Sequence, residues 1–139
     1  MGEVRVEIQL ENYYDRFRFL EGEIPESAIR RHSMTGIVDT GARMLALPQD
    51  VVEVLGLREI RTTVVTYADA RREERPIAGP VMLTMAGRKI LTEAIVLPPT
   101  LEALIGQIPL EGTDLHVDCG GQRLVPSPES PIYPLMPLR

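Results

Sequence analysis

Short apolar runs of period two, broken by turn residues every eight to twelve positions, constrain this chain more than any other feature. Val4, Val6, Ile8 and Leu10 alternate with Glu3, Arg5, Glu7 and Gln9. In an extended strand that spacing puts one face inward and the other in water. Phe17 to Leu20 alternate briefly and stop at Glu21-Gly22, which predicts a second, shorter strand. Residues 23–33 read as irregular or short-strand, with Pro25 as a breaker. Ile37-Val38 form an apolar strand entering a small polar turn at Asp39-Thr40-Gly41-Ala42. Arg61 to Tyr67 are β-branched and aromatic, hence a strand, and a charged return follows through Glu74. Val81–Met85 and Ile90–Leu97 are further strands, joined by the short connection Ala86-Gly87-Arg88. Leu115–Asp118 is a last short strand before Gly120-Gly121. The clearest helix is Pro48–Leu55, with Pro48 in its first turn and Gly56 just beyond its end. Thr100 suits the cap of a single helical turn leading into Ala103-Leu104-Ile105-Gly106. The pattern predicts a small all-β barrel or sandwich carrying one or two short helices.

Composition narrows the core and the partners. Apolar residues make up 44% of the 139 positions but aromatics only 4%, so the core must be built mainly from Val, Ile, Leu and Met. The net charge of −5 argues against nucleic acid or an anionic membrane as partner, since either needs a basic face. No apolar run approaches the roughly 20 residues of a membrane span. The N-terminus alternates charge with apolar side chains and lacks a signal-peptide core. Cys119 is the only cysteine, so no intramolecular disulfide can form. These features together predict a cytoplasmic protein. Residues 1–125 are expected to form one domain. Residues 126–139 are a Pro-rich tail that can hold neither a packed helix nor a central strand.

Asp39-Thr40-Gly41-Ala42 carries the chemistry: an apolar strand delivers a carboxylate into a turn of small residues. Such a carboxylate suits water activation by a pair. Two close carboxylates cannot both ionise cheaply, so one keeps a proton while the other acts as base. Gly41 allows close backbone approach, and the Thr40 hydroxyl can brace the turn.

This turn resembles the active-site signature of the aspartic proteases in their single-domain, retropepsin-like form. The apolar-apolar-Gly element Leu104-Ile105-Gly106, about 65 residues downstream, resembles the second element of that family. In the family it packs beside the catalytic turn in a ψ-shaped loop. The Tyr67-Ala68-Asp69-Ala70-Arg71 hairpin lies between the two, where the family carries its flap. The resemblance spans roughly residues 1–126. It implies a small closed barrel, active as a homodimer that needs no cofactor or metal. Asp39 would be the catalytic aspartate, paired with its symmetry mate to hydrolyse peptide bonds. Thr40 and Gly41 would support the site, with Thr40 bonding across the dimer. Ala42, Leu104, Ile105 and the flap residues Tyr67, Ala68, Asp69 and Ala70 would contact a peptide or protein substrate.

The chain departs from the viral members in two places. Arg43 stands where they usually carry an acid, and Gln107-Ile108 where they begin a helix with an arginine. The viral dimer brace is therefore absent or rebuilt, with Asp50 and Glu111 as possible partners for Arg43. The flap tip also lacks glycine. The missing brace and the glycine-free flap tip both resemble the cellular and prokaryotic branch more than the viral one. They also motivate an alternative: a catalytically weak or inactive barrel serving as a dimerisation or peptide-binding module.

Other constellations are weaker. Asp114, His116, Asp118 and Cys119 match no standard zinc spacing, and strand alternation sends neighbours to opposite faces. Nothing in the sequence joins Cys119 to His32 or His116 as a nucleophile pair, and Gly120-Gly121 lacks the continuation of a phosphate-binding loop. The apolar residues of the tail are expected to dock on the barrel, near the cleft or at an interface.

Overall fold

The computed structural model describes residues 3–99, 101–118 and 120–138. Strand β1 (Val4–Asn12) pairs antiparallel with β2 (Arg31–Val38), from Val4 opposite Val38 to Glu11 opposite Arg31. Ile8 and Leu10 are buried while Glu7 and Gln9 face solvent, as their alternation requires.

Between these strands the chain forms helix α1 (Tyr13–Leu20), not the short strand predicted from Phe17–Leu20. The cause is local. The Asn12 side-chain oxygen accepts the Asp15 N–H at 3.1 Å and caps the first turn. Asp15 then turns inward and takes Arg30 in a two-pronged pair, 2.8 and 3.0 Å long. A single 3-10 turn, Glu26–Ala28, follows Pro25.

Strand β3 (Leu45–Pro48) leads directly into α2 (Gln49–Leu55). Pro48 closes the strand and stands as the helix N-cap, one position before its predicted place. Gly56 ends the helix at φ +63°, a left-handed conformation that favours glycine.

Strand β4 (Arg58–Thr66) pairs antiparallel with β5 (Arg72–Met85). β5 is one 14-residue strand where two separate segments were predicted. A register shift against its neighbour between Ala78 and Val81 accommodates Pro80, so the proline need not break the strand. Ala86 and Gly87, both at positive φ, turn the chain into β6 (Arg88–Leu97).

Then come β7 (Ala103–Ile105), α3 (Gln107–Thr113) and a separate hairpin of β8 (Leu115–Asp118) with β9 (Arg123–Pro126). The helix thus follows Gly106. The predicted Thr100 cap lies outside the described residues, as does Cys119.

The sheet order is β1-β2-β7-β3-β6-β5, and β1 pairs again with β5 from Ile8–Met85 to Asn12–Val81. Six strands therefore close a barrel, with β4 added outside on β5. Closure removes most free sheet edges. Ile8, Leu10, Leu45, Leu47, Leu83, Met85 and Ile105 fill the interior, each 1% exposed or less, without an aromatic ring among them. α2 lays Val51, Val52 and Leu55 on this core. Among the described residues no helix is long and apolar enough to cross a membrane.

Residues 127–138 contain no helix or strand, as their four prolines dictate. The tail is nonetheless tethered. The buried Arg88 donates to the backbone carbonyls of Thr113, Asp114 and Ser130, and the Ser130 hydroxyl donates to the Asp114 carboxylate. The Leu135 N–H reaches the same carboxylate at 3.0 Å. Beyond this tether Ile132, Tyr133 and Leu138 stand exposed.

Candidate functional site

β7 lies between the two strands that flank the Asp39 turn. It runs parallel to β2, with Ile37 opposite Leu104 and Val38 opposite Ile105, and meets β3 antiparallel at Ala46–Leu104. The turn leaving β2 must therefore pass over the end of β7 before descending into β3. Topology alone brings positions 39 and 106 together across about 65 residues of sequence.

Four bonds fasten the turn to this second element. The Asp39 N–H donates to the Ile105 carbonyl at 3.0 Å, extending the β2–β7 ladder by one rung. The Gln107 and Ile108 N–H groups donate to the carbonyls of Ala42 and Arg43, at 3.0 and 2.8 Å. The Gln107 side-chain amide donates to the Thr40 carbonyl at 2.9 Å. The start of α3 thus spends its free N–H groups, which no intrahelical carbonyl can take, on the loop.

The loop also closes on itself. Asp39 Oδ1 accepts the Gly41 N–H at 3.0 Å, and the Asp39 carbonyl accepts that of Ala42. One carboxylate oxygen is thereby held by the backbone of its own turn, which fixes the side-chain rotamer. Asp39 and Ala42 are half-buried, while Thr40 and Gly41 are exposed.

Gly106 is required by contact, not by conformation. Its backbone is extended (φ −88°), a conformation open to any residue. A Cβ there would fall 2.6 Å from the Arg43 carbonyl carbon and the Met44 oxygen, both backbone atoms of the neighbouring loop. At Gly41 a Cβ would come 3.2 Å from Asp39 Oδ1, crowding the carboxylate directly.

The remaining predicted site residues divide between core and rim. Ile105 is wholly buried in the barrel interior, and Leu104 is half-buried beside the turn. Tyr67, Ala68, Asp69 and Ala70 form the tip of the β4–β5 hairpin. The Tyr67 N–H donates to the Arg71 carbonyl at 2.9 Å, and Asp69 Oδ1 accepts the Arg71 N–H at 3.0 Å. The Arg71 guanidinium sits 4.3 Å from the Tyr67 ring centroid, and the Tyr67 hydroxyl donates to Glu73. Ala70 is held at φ +67°. Among the described residues this tip shares no hydrogen bond with the Asp39 turn.

Gln107 is the residue that sequence reading missed. In the sequence it stands out only as a departure from the viral helix start, yet it ties that helix to the turn. Its signal was its place immediately after the apolar-apolar-Gly element. Asp114 and Asp118, weighed as metal ligands, have other partners. Asp114 receives Ser130, the Leu135 N–H and His116 Nε2, the last at 3.5 Å, and these hold its carboxyl below the usual aspartate range. Asp118 receives the Gly121 N–H and Arg123, with the same effect. Comparison with known protein families and with curated proteins finds no match to this chain.

Proposed function

We propose that this chain is one subunit of a homodimeric, retropepsin-like aspartic endopeptidase, with Asp39 as its catalytic carboxylate. The observation that carries the reading is the Asp39 turn: an accessible carboxylate with one oxygen held by the Gly41 N–H, on a loop pinned from behind by Ile105, Gln107 and Ile108. A carboxylate that must act as a base gains from a fixed rotamer and a rigid support. One chain supplies one such turn, whereas the chemistry needs two carboxylates. Two-fold association through the exposed Thr40–Gly41 face brings a second Asp39 to the first, an isologous arrangement.

In this mechanism the pair shares one proton. The ionised Asp39 removes a proton from a bound water, and the resulting hydroxide attacks the scissile carbonyl carbon. The protonated Asp39 donates its hydrogen bond to the carbonyl oxygen as negative charge develops there. Collapse of the tetrahedral intermediate expels the amine, which takes a proton from the dyad. An extended peptide lies between this turn and the β4–β5 hairpin, pairing with exposed backbone. Sharing one proton predicts greater activity below neutral pH.

Digestion of a peptide library between pH 4 and 7 tests the reading, with Asp39→Asn as control. The wild-type chain should cleave and be blocked by a transition-state-mimic inhibitor, and the variant should be inert yet folded and dimeric. Equal cleavage by the variant refutes the mechanism. One observation favours the alternative of a peptide-binding or dimerisation module with little turnover. The hairpin tip is glycine-free and cross-braced by Arg71 on Tyr67, which resists the opening a flap requires. Saturable binding of peptides that are never cut identifies that case.

A further inference from the structure

A second site lies at the other end of β1. Val4, at one end, pairs beside Asp39, whereas Asn12, at the other, borders a cavity of about 270 Å3. The eight residue steps between them span roughly 26 Å. Tyr14, Arg18, Arg30, Arg58 and Gly56 share in the lining. Three arginines share this lining and two of their guanidinium groups flank the Tyr14 ring, a concentration out of keeping with a chain of net charge −5.

The guanidinium donors are only partly used. Arg30 gives Nε and Nη2 to Asp15, and its Nη1 lies over Gly56, where a Cβ would come within 1.8 Å of it. Among the described residues the Arg18 guanidinium gives only Nε, to Glu23 at 3.2 Å. Arg58 has no ion pair among the described residues. Arg18 and Arg58 each stand 5.8 Å from the Tyr14 ring centroid, which holds both heads at the cavity wall. The carbonyls that end α2 repel an anion less than they otherwise would, because the Asn12 amide donates to those of Leu55 and Gly56. Among the described residues no acidic side chain lines the cavity.

We propose that this cavity is an anion site for a phosphoryl group, held by the unused N–H groups of Arg18, Arg58 and Arg30 Nη1, with Tyr14 as its apolar wall. The choice of phosphoryl over carboxylate rests on stoichiometry. A carboxylate has two oxygens and one charge, and a single guanidinium saturates it, as Arg30 saturates Asp15. Asp15 and Glu23 offset the charges of Arg30 and Arg18, but all three heads keep N–H groups to spare and Arg58 keeps its charge, which suits a group with three acceptor oxygens. The cavity exceeds one phosphate ion, so a phosphomonoester could place its organic part against Tyr14.

Titration of the full chain at constant ionic strength tests this, using phenyl phosphate, inorganic phosphate and benzoate. Phenyl phosphate should bind saturably with a dissociation constant below about 1 mM, and benzoate at least tenfold more weakly. Tighter binding of the ester identifies a monoester as ligand, and equal binding identifies free phosphate; both support the site. Arg18→Gln and Arg58→Gln should each weaken binding about tenfold, the size of one lost charge-assisted bond. Arg58→Lys should restore part of it. Arg71→Gln, on the remote hairpin tip, should bind as wild type, and so should Asp39→Asn. Non-saturating binding, equal affinity for benzoate, or the same loss in Arg71→Gln as in Arg58→Gln overturns the proposal. Because Asp39→Asn is an independent arm, failure here leaves the protease reading standing, and the reverse holds.

Discussion

Gly106 and Gln107 show how single residues set the site. At Gly106 an added methyl meets three backbone atoms of Arg43 and Met44, between 2.6 and 2.7 Å away, and backbone cannot rotate away. Gly106→Ala should cost about 2 kcal/mol or more, by the general cost of overpacking, seen as a lower urea midpoint with an unchanged slope. Gln107→Ala removes an exposed side-chain bond, so its stability cost should stay under about 1 kcal/mol. Under the protease reading, its turnover should fall far more than its stability, because the Thr40 carbonyl loses its tether. Equal modest changes in both would make Gln107 merely structural. Asp39 was legible at this scale, since strand, carboxylate and small residues are contiguous. Gln107 was not, because its partner lies 67 positions away and only the fold joins them.

At the scale of elements, legibility followed the kind of signal each segment carried. β1 and β4 announce themselves by alternation and β-branching. β3 does not, because Leu45 to Pro48 are all buried and a strand covered on both faces has no alternation. α1 hides for the opposite reason. Its large apolar residues Tyr14, Phe17 and Leu20 face solvent, so it shows no inward stripe, and only the Asn12 cap marks its start. The Asp15–Arg30 pair ties α1 to the approach to β2, and Arg30 holds the Asp15 carboxyl below its ordinary value near 3.8. A lowered folded-state pKa stabilises above the unfolded value, and that stability is lost as pH falls through the folded one. Asp15→Asn should therefore cost about 2 kcal/mol at pH 7, with the gap to wild type closing below about pH 4. A gap constant from pH 7 to 2 would contradict the assignment. At the hairpin tip, Ala70→Gly relieves a left-handed alanine. Stability should change by less than about 1 kcal/mol, since strain relief and glycine entropy oppose one another. Amide exchange at residues 67–71 should accelerate if the tip is stiff by design.

For the whole molecule, the closed six-stranded barrel decides what a single chain can do. Composition foretold an interior built mainly from Val, Ile, Leu and Met. The barrel's closure was less legible, because the β1–β5 and β2–β7 pairings join distant segments. The tail is part of this body through Ser130, since Arg88 is 6% exposed and has its N–H groups on the tail carbonyl and the end of α3. Removing residues 127–139 uncovers that guanidinium and should lower stability by about 1–2 kcal/mol; an unchanged urea midpoint would show the tether to be idle. The proposed reading is that two copies of this barrel place Asp39 against Asp39 and cut peptides. Its most direct measurement is mass-spectrometric mapping of a peptide library digested by wild-type protein and Asp39→Asn, at concentrations where both are dimeric. Cleavage that rises from pH 7 toward pH 4 and vanishes in the variant is the predicted result. Intact peptides with a proven wild-type dimer, or equal cleavage by the variant, would contradict it.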